Sequence, residues 1–580
     1  MTDEARLSVA EQDRVFRPSA GVGTTVGRLA GALRAQGYEP ILTPVSGAAE
    51  EAQVTGAAMN PQAVGEGDLF VAVSGARAHG ADFVAQAIGA GAVAVLTDAA
   101  GVSRIRETVG YWLPVIEVRH VRDAAGPAAA LIHGNTSSSD PALFGVTGTN
   151  GKTTTTYFLR SLLGRLTAPR GQETGLIGTI EIAAGQERIP SQLTTPEAVQ
   201  LHGLMALFRE RNVGTAAMEV SSHAISYQRI SGLHYDVAGF TNLTQDHLDL
   251  HGSMEQYFAA KAELFARRRT RTAVITVDDP WGHQMAAVAS GRVVTLATAG
   301  QPAEVDWEVV DVVADGLGHA FTLHHLRSGE RVRTRTGLPG RFNVSNAALA
   351  AVMVLEAPEP HYSYQEAVRV LEEQDPFTVS VPGRMQVIGT APAAIVDFAH
   401  NPDAMIRTLE AAAAANGAGA EDPHGAEGAE GAGSRAGRII LVVGAAGERD
   451  RSKRPTMGAI AVRMADHVII SDDDPHGEDP AQIRADVMEG AREAIVSGSL
   501  TAVLEEVSPR AEAIERAVSS ASQDDTVILA GRGHETHQDF AGEHHAIDDR
   551  AELAAALRRH GFTTLAMPGA SEKDRTGDTE

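Results

Sequence analysis

Short apolar runs bounded by glycine, proline and small polar residues recur along the chain. Longer stretches with apolar residues three and four apart lie between them. Ala142-Leu143-Phe144-Gly145-Val146 is one such run and predicts a buried strand. A helical pattern follows it, with Phe158, Leu159, Leu162 and Leu163 on one face. Upstream, Gly67-Asp68-Leu69-Phe70-Val71-Ala72-Val73, an alanine-rich helix and Val93-Ala94-Val95-Leu96 repeat the alternation. Downstream, runs at 394–398, 439–443, 467–470 and 526–530 repeat it again. Strands that alternate with helices predict mostly parallel sheets covered on both faces, so the fold class is α/β.

The 580 residues suggest three or four domains at about 150 residues each. Turn formers at 134–141 and prolines from Pro376 to Pro382 mark two junctions. They divide the chain into units at 1–139, 140–378 and 379–567. Residues 411–437 are almost entirely Ala, Gly, Glu and small polar types. They offer no apolar periodicity, so a disordered insertion is expected there, and a disordered tail at 568–580.

A net charge of −25 disfavours non-specific binding to nucleic acid or to an anionic membrane. The absence of cysteine excludes disulfides, thiol nucleophiles and thiolate metal sites. No apolar run approaches membrane-spanning length, and the acidic N-terminus lacks the apolar segment of a signal peptide. The expectation is a cytoplasmic, monomeric enzyme with neither nucleic-acid nor membrane partners.

The loop Gly148-Thr149-Asn150-Gly151-Lys152-Thr153-Thr154 sits between the predicted strand and helix. That context makes Gly-Lys-Thr a phosphate cradle. Backbone N–H groups receive the anion, Lys152 supplies a point charge, and the Thr153 hydroxyl suits Mg²⁺. The chain therefore handles ATP. Glu219 ends the next predicted strand, where a carboxylate can serve Mg²⁺. The loop at 241–252 carries two acids and two histidines. One of them, His247, suits a second cation or a phosphate. Ser253 with Gln256 has the spacing of a capping box. The helix it opens aims Lys261 inward with Tyr257, Phe258, Leu264 and Phe265. Either Lys261 snorkels outward, or CO₂ converts its amine to a carbamate that ligates metal.

GTNGKTTT, MEVSSH, FTNLTQDHLDLHG, PGRM, VDFAHNPD, ERDRSKRP and GRGHE follow in order, and together they resemble the Mur ligases. The resemblance covers residues 50 to 560 outside the low-complexity stretch. It is greatest to the members that add the third peptide residue in peptidoglycan precursor synthesis. It implies an N-terminal UDP-binding domain, a central ATPase domain and a C-terminal Rossmann-like domain that brings the amino acid. It also implies ATP-dependent amide formation on UDP-MurNAc-L-Ala-D-Glu through an acyl phosphate.

Carried over by position, residues Gly148 to Thr154 with Asn343, Arg384 and Asp397 would hold ATP. Thr153, Glu219, His247 and carbamoylated Lys261 would hold metal, with Lys152, Lys261, His247 and Glu219 serving catalysis. Ala76, Arg77, Ala78, Thr194, Thr195, Ser221 and Arg229 would meet the UDP-muramoyl dipeptide. Arg449, Asp473, Asp474, Pro475, His476, Gly531 and Glu535 would form the amino-acid pocket.

Three departures change the picture. Asn60-Pro61-Gln62 stands where the family often has Asp-Ser-Arg, which leaves uridine to the backbone and the 75–80 loop. Asp473-Asp474-Pro475-His476 stands where meso-diaminopimelate-using relatives carry Asp-Asn-Pro-Arg. Losing that arginine favours L-lysine, then L-ornithine, over meso-diaminopimelate. Tyr227 replaces a glutamine often found near the muramoyl peptide. The competing readings are a folylpolyglutamate-synthetase-like ligase and a non-catalytic P-loop regulator.

Overall fold

The computed structural model describes residues 15, 17–19, 21–43, 50–75, 77–110, 113–135, 140–299, 304–358, 361–415 and 437–565. Three sheets carry the architecture. The first has five strands in the order Ile41–Leu42, Val115–Glu117, Ala92–Thr97, Asp68–Val71 and Gly56–Ala58. All its pairings are parallel except the one to Ile41–Leu42. The second has eleven strands, and the third has six.

The eleven-stranded sheet is parallel only in its middle. From Glu173–Ile177 through Val213–Glu219, Ala142–Thr147, Tyr235–Phe240, Thr270–Thr276 and Arg292–Ala297 to Trp307–Asp315, every pairing is parallel. Antiparallel hairpins extend both edges, at Glu181–Pro190 and at Gly318–Thr336. The middle strands are apolar and fully buried, as in Ala142–Thr147 and Val213–Glu219, because helices cover both faces. The helix Lys152–Thr167 packs its Phe158, Leu159, Leu162 and Leu163 into one core cluster. A second cluster on the opposite face includes Leu201, Met218, Phe240 and Tyr257.

In the third sheet, Ala393–Asp397, Thr526–Ala530, Ile439–Val443 and His467–Ile470 are consecutive parallel neighbours. The helix Pro402–Ala415 runs five residues into the stretch expected to be disordered. Ala411 and Ala412 are buried there, because alanine is the strongest helix former and fits close packing. The rest of that stretch, 416–436, lies outside the described residues, as does the tail at 568–580.

One ion pair fixes the third sheet's working end. The Arg510 guanidinium donates to Asp549 at 2.6 to 3.1 Å, to the Asp472 carbonyl at 3.1 Å and to the Ala530 carbonyl at 3.0 Å. Both side chains are fully buried. Arg510 therefore ties the ends of the two strands that flank Ile439–Val443 to the helix Asp549–Arg559. Asp549→Ala leaves a buried guanidinium without its counter-charge, at a cost of about 3–5 kcal/mol. The expected outcome is an earlier melting transition for this domain in calorimetry; an unchanged thermogram would contradict the clamp.

Candidate active site

Val213–Glu219, Ala142–Thr147 and Tyr235–Phe240 are adjacent parallel strands, so their carboxyl ends open at one edge. This is why motifs far apart in sequence meet. Gly148 and Gly151 adopt φ of 150° and 91°. A Cβ on Gly148 would collide with Thr241, and one on Gly151 with Asn346. The loop is pinned to its neighbour by Thr149 N to the Asn242 carbonyl at 2.9 Å and Asn150 N to Asn242 Oδ1 at 3.0 Å.

Lys152 Nζ donates to the carbonyls of Gly148 at 3.0 Å and Thr149 at 2.8 Å. Lys261 Nζ, whose residue is 1% exposed, donates to the same Gly148 oxygen at 2.8 Å and lies 4.5 Å over the Tyr257 ring. The lysine does not snorkel. Burial and then the Lys152 charge push its proton affinity well below that of an ordinary lysine. Burial likewise lowers Lys152, against the pull of Glu219 and Asp246. Ser253 caps the helix Met254–Ala262 through Gln256 N at 3.3 Å. The reciprocal bond of a full capping box is not formed, and Leu264 and Phe265 continue in a 3₁₀ turn.

Glu219 is fully buried. Its carboxylate accepts from Thr153 Oγ1 at 3.0 Å, Thr179 N at 2.8 Å and Thr179 Oγ1 at 3.0 Å. Thr179 carries no motif, and its role follows from the Glu173–Ile177 strand lying beside Val213–Glu219. His247 sits in the left-handed region at φ 53°, 4.8 Å from the His223 ring and 3.7 Å from Asp246. Burial foremost drives its pKa down to about 3. Asp246 itself titrates below the usual carboxylate range. Burial opposes this, but His400, His247 and Lys453 outweigh burial.

The third sheet faces this edge. Asn150 Nδ2 donates to Asp403 at 2.8 Å, and Asn401 Nδ2 donates to Asn150 Oδ1 at 3.1 Å. Arg384 stacks 4.2 Å over Phe398 and reaches Thr153 Oγ1 at 3.5 Å. Asn343 is held by the Pro339 carbonyl at 2.7 Å and orients Asn346. Asp397 accepts from Met385 N, Ala399 N and Thr408 Oγ1. A cavity between Asn150, Thr154, Asn343, Arg384, Asp397 and Arg407 lies in this seam.

Ser221 N donates to Thr195 Oγ1 at 3.1 Å, and Arg229 bonds the Thr195 carbonyl and pairs with Glu197 at 2.9 Å. Thr194 Oγ1 lies 3.1 Å from Thr179 Oγ1, a hydroxyl pair. The Tyr227 ring lies between the Arg122 and Arg229 guanidiniums, at 5.6 and 5.8 Å. Arg77 and Ala78 are exposed in a turn closed by Gly75 N to the Ala78 carbonyl; Ala76 lies outside the described residues. Asn60 Oδ1 accepts from Gln62 N at 3.0 Å.

At the other end, single oxygens of Asp473, Asp474 and Glu535 lie within 4.8 Å of one another. Burial, then Asp473 and Asp474, raise Glu535 well above a normal carboxyl, and burial raises Asp473. Gly531, at φ 112°, leaves room for Asp473, since a Cβ would stand 2.5 Å from its Oδ2. Arg532 is fully buried and committed, donating to Asp474 at 3.1 Å and to the His537 carbonyl at 2.7 Å. Pro475 is buried, and His476 pairs with Asp539 at 3.1 Å. Arg449 is exposed, near enough to lower His223 electrostatically.

Three family descriptions match the chain: "Mur ligase family, catalytic domain" over 53–132, "Mur ligase middle domain" over 146–354, and "Mur ligase, glutamate ligase domain" over 383–533. The chain is 42% identical to the UDP-N-acetylmuramyl-tripeptide synthetase of Leifsonia xyli subsp. xyli, over 89% of this chain and 94% of that protein. It is 38% identical to the UDP-N-acetylmuramoyl-L-alanyl-D-glutamate--2,6-diaminopimelate ligase of Streptomyces avermitilis, over 94% and 98%. A solved structure of a ligase of that second name superposes with a TM-score of 0.59 at 26% identity, covering 93% of this chain and all of the other. Among the described residues no helix is long and apolar enough to cross a membrane.

Gly178 tests the carboxylate's setting. A Cβ there would stand 2.5 Å from Glu219 Oε1. Gly178→Ala should displace Glu219 from Thr153 and lower ATP-dependent phosphate release by about tenfold or more, roughly 1.4 kcal/mol of barrier. A variant with wild-type turnover would show that Glu219 tolerates movement.

Proposed function

The chain belongs to the Mur ligase family of ATP-dependent ligases of peptidoglycan synthesis, and within it we propose that it adds L-lysine to UDP-MurNAc-L-Ala-D-Glu, with L-ornithine second. Adding a diamino acid to a UDP-MurNAc-dipeptide agrees with its relatives, most of which are named for 2,6-diaminopimelate. The observation that carries the choice is the acid pole of Asp473, Asp474 and Glu535. Three carboxyls in partial burial repel one another and favour a ligand that ends in an ammonium. The nearest guanidinium, Arg532, is already bonded to Asp474 and a backbone carbonyl. It is therefore not free to grip a second substrate carboxylate. Exposed Arg449 suits the amino acid's main-chain carboxylate.

In this reading an oxygen of the D-Glu side-chain carboxylate attacks the γ-phosphorus of ATP, and ADP departs. The incoming amine then attacks the acyl carbon, and the tetrahedral intermediate expels phosphate as the nitrogen loses its proton. The Gly148–Thr154 loop, Lys152 and Arg384 hold the phosphates, which localises the positive charge that the transferring group requires. Asn343 and Asp397 border the rest of the nucleotide. Thr194, Thr195, Ser221 and Arg229, with the 75–80 loop, face the UDP-muramoyl dipeptide.

Thr153 and Glu219 fit Mg²⁺, since a hydroxyl and a buried carboxylate lie 3.0 Å apart beside the phosphate loop. When bound, the ion adds charge neutralisation on the phosphate oxygens. His247, kept neutral, offers an imidazole nitrogen for a second ion. Lys261 supports the same reading only as a carbamate. Its buried amine loses its proton readily, and a neutral amine adds to CO₂, releasing a proton and leaving a carboxylate-like ligand. That change also removes the clash of two ammonium groups on the Gly148 carbonyl.

Two measurements follow. Protein equilibrated with ¹³C-bicarbonate should give a carbamate carbonyl resonance that Lys261→Ala abolishes along with ligation, while the fold stays intact by circular dichroism. No resonance, or a nearly fully active variant, would refute the modification. ATP-dependent phosphate release with L-lysine, L-ornithine and meso-diaminopimelate in parallel should rank L-lysine first. Clear preference for meso-diaminopimelate would overturn the amino-acid choice and leave the ligase reaction standing.

A further inference from the structure

We infer that Asp539 is a specificity-determining residue for the amino acid, because its carboxylate captures side chain 476. This rests on the amino-acid reading above. Asp539 lies on the hairpin of His537–Phe540 and Glu543–Ala546, which docks directly on the 473–476 loop. Gln538 Nε2 donates to the Asp473 carbonyl at 2.7 Å, Asp539 N donates to Asp474 Oδ1 at 2.9 Å, and His476 N donates to the Asp539 carbonyl at 2.9 Å.

The side chains repeat this docking. Asp539 Oδ1 takes the Gly542 N–H at 2.7 Å, and Oδ2 pairs with His476 Nδ1 at 3.1 Å. His476 is fixed at φ 48° by the bridge to the hairpin. Its imidazole is therefore drawn to the hairpin carboxylate. The His476 ring and the Gly542 N–H hold the Asp539 carboxyl below the usual carboxylate range. It is thus a standing anion next to position 476.

Any cation introduced at 476 meets that anion first. A guanidinium matches a carboxylate with two parallel hydrogen bonds, so an arginine at 476 would be captured by Asp539. Asn at 539 removes the charge but keeps a carbonyl oxygen for the Gly542 N–H, so the hairpin turn is retained.

The test measures kcat/KM for L-lysine and meso-diaminopimelate in wild type, His476→Arg, Asp539→Asn and the double variant of the full chain. His476→Arg alone should leave the ratio of the two amino acids close to wild type. The double variant should move it toward meso-diaminopimelate by about tenfold or more. The shift should appear in the amino-acid KM, with the KM for ATP within about twofold of wild type, a split that general damage to the fold would not give. Asp539→Ser, whose hydroxyl also serves the Gly542 N–H, supplies a second background if the Asn variant is poorly folded. A full shift from His476→Arg alone, or no shift in either double background, overturns the inference. Wild-type preference for meso-diaminopimelate would instead refute the L-lysine reading, and the single-against-double comparison would still judge Asp539.

Discussion

Two lysine amines meet on one carbonyl oxygen. Lys152 and Lys261 both bond the Gly148 carbonyl, in a chain whose net charge is −25. Two ammonium charges at such a separation would repel strongly once water is excluded, and with burial this is why the Lys261 proton is held so weakly, while the fold enforces the approach. Lys261 comes from a helix locked by Tyr257, Leu264 and Phe265 in the core, and Lys152 from the first turn of the buried helix behind the loop. Glu219 and Asp246 supply the nearest negative charge. The site is thus electrostatically incomplete as protein alone, a condition that polyphosphate, divalent cation and a carbamate would each relieve.

The rest of the molecule serves to bring the two working edges together. Parallel strands place all their carboxyl ends on one side, and two such sheets face each other across Asn150, Asp403, Arg384 and Thr153. Within the third sheet's own unit the loops also pack so closely that only glycine fits at two positions. A side chain at Gly383 would run into the backbone of Gly533 and His534, and one at Gly533 into Phe398. These glycines let the loops that follow Val381 and Ala530 approach each other.

Much of this was legible in the sequence, because the site is built from strand ends and strand ends carry motifs. The strand runs at 439–443, 467–470 and 526–530 coincide with observed strands, since a doubly covered strand is a continuous apolar run. Lys261 was legible through helical phase. Thr179 was not, because its bond to Glu219 depends on which strand neighbours Val213–Glu219, and local pattern does not encode pairing order. Asp539 was hidden for the same reason, as a hairpin residue becomes informative only when the loop it docks on is known. The antiparallel edges of the central sheet were missed because their exposed faces blur the apolar runs. The five helical residues at 411–415 were missed because composition reports the absence of a core pattern, not the reach of the preceding helix.

The charge distribution has two poles, and the separation has a chemical logic. ATP and the nucleotide-linked peptide are anions, and the loop, Lys152 and Arg384 concentrate positive charge at the strand ends of the central sheet. A diamino acid without a second carboxylate carries net positive charge, and Asp473, Asp474 and Glu535 concentrate acid where it would arrive. Electrostatic complementarity of this kind acts mainly on encounter and on rejection of wrong partners. The fully buried Arg532 does not blur the poles, because its charge is spent inside the acid cluster, where it tempers the mutual repulsion of the carboxyls. It keeps the cluster anionic enough to attract a cation and cohesive enough to stay folded. Removing it would leave three carboxyls, Asp473 buried and the other two partly so, to settle their repulsion by taking up protons, and the acid pole would fade.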